Sequence, residues 1–187
     1  MFTHTSRALI ALAAGIGLAL CSGCGPYRTY KGKPKSFSTH PFRIDYPRGF
    51  ETAELPQMST ENHMLVAFGI SGGGSAQEPK TPPAMIIIRC YRLRQKETAQ
   101  TFVERYYDAL APRFLDLKLR QTKKNSAAPE WSITAAQGSL EARLIVLPEE
   151  KLAYDVTTMA TSKDLVAQFK DIFKRARESF RLLPARG

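Results

Sequence analysis

The hydrophobic pattern changes character several times along the chain. From Ala8 to Leu20 every residue is apolar or glycine, a run of 13 with no polar interruption. After Ser38 the pattern becomes periodic. Phe42-Arg-Ile-Asp-Tyr46 alternates apolar and polar as a half-buried strand does, Pro47-Arg48-Gly49 supplies turn residues, and Phe50 to Leu55 forms a second short segment, so a hairpin is expected to open the domain. Met64–Ile70 and Ala84–Leu93 are apolar runs of strand length, the second rich in β-branched residues. Between them Ser71-Gly-Gly-Gly-Ser and a set of prolines ending at Pro83 read as a long flexible connection.

The period then shifts to that of a helix. Phe102, Val103, Tyr106, Leu110 and Phe114 share one face over Thr98–Phe114, with Thr98 as N-cap and Pro112 set to end the helix near its last turn. Strand patterns return at Leu117–Thr122, Trp131–Gln137 and Leu140–Leu147, and a tight turn at Pro148-Glu149-Glu150 leads into Leu152–Met159. These are expected to pair as an antiparallel meander. A last helix spans Ser162–Arg177 with Leu165, Phe169, Ile172, Phe173 and Ala176 on one face and Lys163, Lys170 and Lys174 opposite, and Ser179–Leu183 closes the domain. Strands dominate and a meander separates the helices, which predicts an α+β domain whose two helices pack on a shared antiparallel sheet. Phe169 and Phe173 are then core residues.

Phe42-Arg-Ile-Asp-Tyr-Pro-Arg-Gly-Phe50, the helix after a long hairpin, and the ending Tyr154-Asp-Val-Thr-Thr…Phe173…Ser179-Phe180 together resemble the Mog1/PsbP-like domains, which include bacterial lipoproteins of the DcrB type. The likeness covers roughly Ser36 to Leu183. It implies a sheet flanked by helices and a role as adaptor or accessory subunit without catalysis.

The N-terminus implies export. Arg7, the apolar run and the small residues after it have the three-part layout of a signal peptide over residues 1–23. At about 1.5 Å per residue the run spans roughly 20 Å, short of a bilayer's ~30 Å core, so a permanent membrane-crossing helix is disfavoured. Leu20-Cys21-Ser22-Gly23-Cys24-Gly25 resembles the lipobox of bacterial lipoproteins, with Cys21 standing where that pattern usually has Leu. Acylation at Cys21 would put Leu20 against the scissile bond, so Cys24 is the expected lipid attachment site; an ordinary secretory signal is the alternative. By the same resemblance, Gly25 rather than Asp after the cysteine implies the outer membrane, facing the periplasm. Residues 24–38, polar and basic with two prolines, read as a flexible tether before a single domain over 39–187.

Charge sharpens this picture. The chain carries +10, of which +9 remains once Arg7 leaves with the signal. Such a balance favours anionic surfaces, and export makes these lipid head groups, cell-wall polymers or an acidic envelope protein rather than nucleic acid. Tyr27, Arg28, Tyr30, Lys31, Lys33 and Lys35, all within a dozen residues of Cys24, form a candidate membrane-surface contact in which each cation contributes ~1 kcal/mol near an anionic bilayer. A second basic set comprises Lys118, Arg120, Lys123 and Lys124 with Lys170, Lys174, Arg175 and Arg177.

Signatures of catalysis and cofactors are missing: there is no His-Glu-x-x-His, Cys-x-x-Cys, Gly-x-Ser-x-Gly or phosphate-binding loop, so no metal, cofactor or catalytic residue is expected. Gly72–Ser75 lacks the following Lys-Ser/Thr, Glu149 and Glu150 point apart in a turn, and His40 and His63 read as solvated imidazoles. Cys90, alone in the exported domain, is expected to be a buried, unreactive thiol. The leading expectation is a lipid-anchored, non-enzymatic binding or assembly module of the cell envelope. The alternative is a periplasmic carrier or sensor of a small amphiphile or acidic glycan, which a deep apolar pocket would favour.

Overall fold

Alternation in the strands builds two sheets that share a core. The computed structural model describes residues 26–53, 62–70 and 82–184. Over these the chain forms β1 (Tyr27–Gly32), β2 (Phe42–Pro47), β3 (Glu51–Ala53), β4 (Asn62–Gly69), β5 (Ala84–Arg92), α1 (Ala99–Leu110), β6 (Lys118–Lys123), β7 (Glu130–Thr134), β8 (Leu140–Leu147), β9 (Leu152–Ala160), α2 (Lys163–Ser179) and β10 (Arg181–Leu182). The larger sheet has seven strands in the order β3-β4-β5-β9-β8-β7-β6, and the smaller has three, β1-β2-β10. Every pairing is antiparallel, and β6 to β9 form the expected meander.

The two helices cover opposite faces of the large sheet. Neighbours along β8 show this: Ile145 joins the core under α2, while Leu144 and Val146 join the one under α1. The α2 core holds Phe169, Phe173, Ala176 and Phe180 against Ile86, Ile88, Tyr154 and Val156, closed from above by Phe42, Ile44 and Tyr46 of the small sheet. The α1 core holds Phe102, Val103 and Tyr106 against Tyr91, Trp131, Ile133 and Leu144. Phe169 and Phe173 are therefore core residues, and Lys163, Lys170 and Lys174 lie exposed on the other side of α2.

Local sequence sets the helix ends. The Thr98 hydroxyl accepts from the Thr101 amide, and the Thr101 side chain returns a bond to the Thr98 amide, satisfying two of the donors a helix start leaves free. Helix α1 stops at Leu110, before Pro112, whose ring and missing N–H oppose continuation. Phe114 still packs on the α1 core, but from the turn that follows. Ser162 caps α2 through the Leu165 amide.

Two expectations are corrected. The opening hairpin does not form: β2 pairs with β1 and β10, whereas β3 pairs with β4, so the turn at Pro47–Gly49 passes the chain from one sheet to the other. The flexible tether over 24–38 gives way to strand β1, which pairs with β2 from Tyr27↔Pro47 to Gly32↔Phe42. Its prolines and lysines masked a strand that contributes little apolar surface of its own and draws its order from β2. Tyr30 packs on Phe42 and Phe68 with ring centroids 5.9 and 5.5 Å away. Gly32 lies so close to the Phe42 ring that a Cβ there would sit 2.1 Å from it, so a larger residue would force the buried ring or β1 to move. Past β1, the chain bridges back between Lys35 and Ser38, and the buried Ser38 hydroxyl lies 3.0 Å from the Tyr154 hydroxyl. The folded domain thus begins ahead of residue 39. Cys24, the signal segment and Gly72–Ser75 lie outside the described residues.

Candidate functional site

The basic residues singled out in the sequence do not converge on one patch. β6 places Lys118, Arg120 and Lys123 exposed at one edge of the large sheet. Lys123 Nζ lies 3.8 Å from Glu130. On α2, Arg175 turns toward the small sheet, where its guanidinium lies 4.7 Å from the Tyr27 ring centre and 3.2 Å from Asp45. Arg177 points to the large sheet and bonds Glu141 and the Thr158 hydroxyl. Burial pulls the Arg177 pKa down, with Glu141 acting against that pull.

Between the C-terminal half of α2 and strands β6–β8 lies an open groove of about 590 Å³. Lys174, Arg177 and Glu178 of α2, Arg181 of β10, Arg143 and Glu130 supply its charges. Arg143 is fully engaged: Nε donates to Glu130 at 2.9 Å, Nη2 lies 2.8 Å from the same carboxylate, and Nη1 donates to the Arg177 carbonyl at 2.8 Å. Arg181 donates to the carbonyls of Glu178 and Phe180. These arginines answer the carbonyls a helix C-terminus leaves unpaired and its negative dipole end. Lys174 is exposed at the mouth of the groove, with no carboxylate partner among the described residues. Sequence reading found Lys174 and Arg177 but missed Arg143, Glu130 and Arg181, since a charge inside an alternating strand reads as an ordinary solvent-side residue.

A second polar assembly lies beneath α1. Asp155 is 0 % exposed in the middle of β9. Its carboxylate accepts from the Tyr106 hydroxyl at 2.6 Å, the Tyr91 hydroxyl at 3.1 Å and Arg89 Nε at 3.2 Å, and Arg89 Nη2 lies 2.9 Å away. Arg89 also donates to Thr157 at 3.0 Å. Burial raises the pKa of both tyrosines, and the adjacent Asp155 raises it further. For Arg89 burial works most strongly against the charge, but Asp155, Tyr106 and Tyr91 together outweigh it and the pKa rises. This assembly joins α1, β5 and β9, and it is closed: each oxygen has its donors, which is how a buried charge is tolerated. It was not legible in the sequence because Arg89, Tyr91, Tyr106 and Asp155 are spread over sixty-odd positions.

The remaining predicted residues are placed as follows. Tyr27 is half-buried under Arg175, Tyr30 half-buried against Phe42 and Phe68, and Arg28, Lys31, Lys33 and Lys35 are exposed. His40 is not a solvated imidazole: Nε2 lies 2.7 Å from Glu150 and Nδ1 3.1 Å from the Leu183 carbonyl, tying the β8–β9 turn to the chain end. His63 is buried and stacked on Phe37 at 3.8 Å. Both corrections arise from residues distant in sequence. Cys90 is 1 % exposed, and burial pushes its pKa up to about 12. Among the described residues there is no group of three or more His, Cys, Asp or Glu side chains able to hold a metal ion, and no helix long and apolar enough to cross a membrane.

Comparison with known proteins places this architecture. No family model matches the sequence, and no curated protein matches it. Among solved structures, the chain is similar to the solution structure of cyanobacterial PsbP (CyanoP) from Synechocystis sp. PCC 6803, at 12% identity and a TM-score of 0.51, covering 89% of this chain and 99% of that one. It also matches the crystal structure of the Saccharomyces cerevisiae Ran-binding protein Mog1p, at 10% identity and a TM-score of 0.45 over 83% of this chain and 95% of that one. The protein therefore has an α+β, PsbP-like fold, as its strand and helix order predicts.

Proposed function

We propose that this protein is a lipid-anchored, non-catalytic binding module of the bacterial cell envelope. Acylated Cys24 holds it at the outer membrane, and the cationic groove beside α2 engages an acidic envelope protein. The groove carries this reading: it is open, its walls are charged, and Lys174 stands at its mouth unneutralised. A carrier of an amphiphile would need an enclosed pocket with few polar groups; the groove here is open and lined by six charged side chains. The PsbP-like fold and the lipobox pattern at Ser22-Gly23-Cys24 support the same reading.

The test is affinity capture of the full-length protein from its own membranes, comparing the parent with Lys174→Glu. The parent should bring down an acidic protein that the variant loses while melting at the same temperature. Equal recovery by both, or a small amphiphile bound stoichiometrically to the purified protein, would overturn the reading.

A further inference from the structure

We infer that the solvent face of the three-stranded sheet is the surface on which this domain lies against an anionic bilayer. The inference rests on the proposed acylation of Cys24 and adds an orientation to it.

A row of three cations crosses that sheet. Lys31 of β1 lies opposite Arg43 of β2, which lies opposite Arg181 of β10. All three are exposed, while Phe42 and Ile44, flanking Arg43 on the same strand, point into the core, so the row faces solvent. Strands sit about 4.8 Å apart, which puts three positive charges within roughly 10 Å. Like charges directly opposite one another destabilise a sheet. None of the three has a carboxylate partner among the described residues, and Arg181 reaches only backbone carbonyls. Asp45, the sole acidic residue of these strands, is taken by Arg175 at 3.2 Å and by the Thr29 hydroxyl at 2.9 Å. Arg181 serves the end of α2, but stability gives no reason to set Lys31 and Arg43 in line with it; an external anionic surface does.

Chain geometry supplies that surface. The Pro26 carbonyl accepts from the Arg48 amide at 3.1 Å, so the described fold reaches to within two residues of Cys24. Three Cα steps of 3.8 Å keep Tyr27 within about 11 Å of the acylated residue. With the lipid in the bilayer, the domain has two simple poses. Standing on the Tyr27 end leaves the Lys31 row about 13 Å further out, beyond the ~8 Å over which charges act at physiological salt. Lying on the small sheet brings Lys31, Arg43 and Arg181 to the head groups together, whereas Arg175, over Tyr27 and paired with Asp45, is near the bilayer in either pose. Electrostatics selects the second pose, and Lys31 alone of the three outer lysines of the N-terminal segment belongs to its contact row.

The test uses the mature protein in vesicles of phosphatidylcholine with phosphatidylglycerol, and of phosphatidylcholine alone. A fluorophore is placed at Thr29→Cys on the sheet face or at Glu104→Cys on the exposed side of α1, and head-group spin-labelled lipid is the quencher. The Thr29 label should be quenched more strongly than the Glu104 label, and only in the anionic vesicles. Lys31→Gln with Arg43→Gln should reduce that preference about 30-fold without lowering the melting temperature. Equal quenching at both positions, or an unchanged preference in the double variant, would overturn the inference. So would loss of an acidic protein partner from that variant with quenching unaltered. The mass of the same preparation reports acylation separately. If the mature chain carries no lipid, anchoring fails, and co-sedimentation with the two vesicle types still decides the face by the same 30-fold difference.

Discussion

The two faces of the large sheet solve burial in different ways. Under α2 the contacts are apolar and continuous: Phe169 and Phe173 meet Phe50, Ile86 and Ile88, and a second sheet closes over them. Under α1 the aromatic core of Phe102, Tyr91 and Trp131 adjoins the Asp155 assembly, where four donor contacts converge on one carboxylate. Strand β9 serves both, since Tyr154 and Val156 face α2 while Ala153 and Asp155 face α1. An apolar core tolerates small shifts of its parts, whereas a hydrogen-bonded charge fixes the position of each donor. The α1 face should therefore be the more specific and the α2 face the more stabilising.

Substitutions can break that contrast. Phe173→Ala leaves a cavity beneath α2 and should cost about 3–5 kcal/mol, enough to unfold a large fraction of the protein in a thermal melt. Asp155→Ala strips the carboxylate from Arg89 and two tyrosines; because the Arg89 side chain keeps 20 % of its exposure, the cost should be about 2–3 kcal/mol, below that of a fully buried pair. If Asp155→Ala proved costlier than Phe173→Ala in denaturant titrations, the ranking of the two faces would be reversed. Tyr106→Phe removes one hydroxyl donated to a carboxylate and should cost about 1.5 kcal/mol. Lys174→Ala, at the exposed mouth of the groove, should change melting by no more than ~0.5 kcal/mol.

Alkaline pH probes both faces together. Cys90 and Tyr154 lie on the α2 side and Tyr91 and Tyr106 on the α1 side, and burial raises the pKa of all four. A group whose folded pKa is raised holds its proton more tightly when folded, so its contribution is complete below the unfolded value and is lost as pH rises toward the folded one. Stability should be level near neutrality and fall from about pH 9.0, the ordinary thiol value, toward about 12. Tyr106→Phe should make the decline shallower.

Much of this architecture could be read from periodicity. Helix α1 with Thr98 as its cap, the meander from β6 to β9, and the buried stripe of Phe169 and Phe173 followed from local spacing, and the structure places them so. What escaped was nonlocal. β1 reads as linker because its order comes from β2, and the pairing of β2 with β1 and β10 depends on strands at both ends of the chain. The groove escaped for a related reason: Arg143 and Arg181 gain their roles only when β8 and β10 meet the end of α2. His40 acquires Glu150 across 110 positions. Basic residues could be found by type, but which of them are neutralised could not.

The proposed anchoring at the outer membrane depends on where the mature chain begins and what it carries. Intact-mass measurement of the protein purified from bacterial membranes tests that directly. Anchoring through Cys24 requires a chain starting at Cys24 with acyl groups on it, and a Cys24→Ser variant that loses lipid labelling. A mature protein that begins at any other residue, or one that begins at Cys24 without lipid, would contradict it.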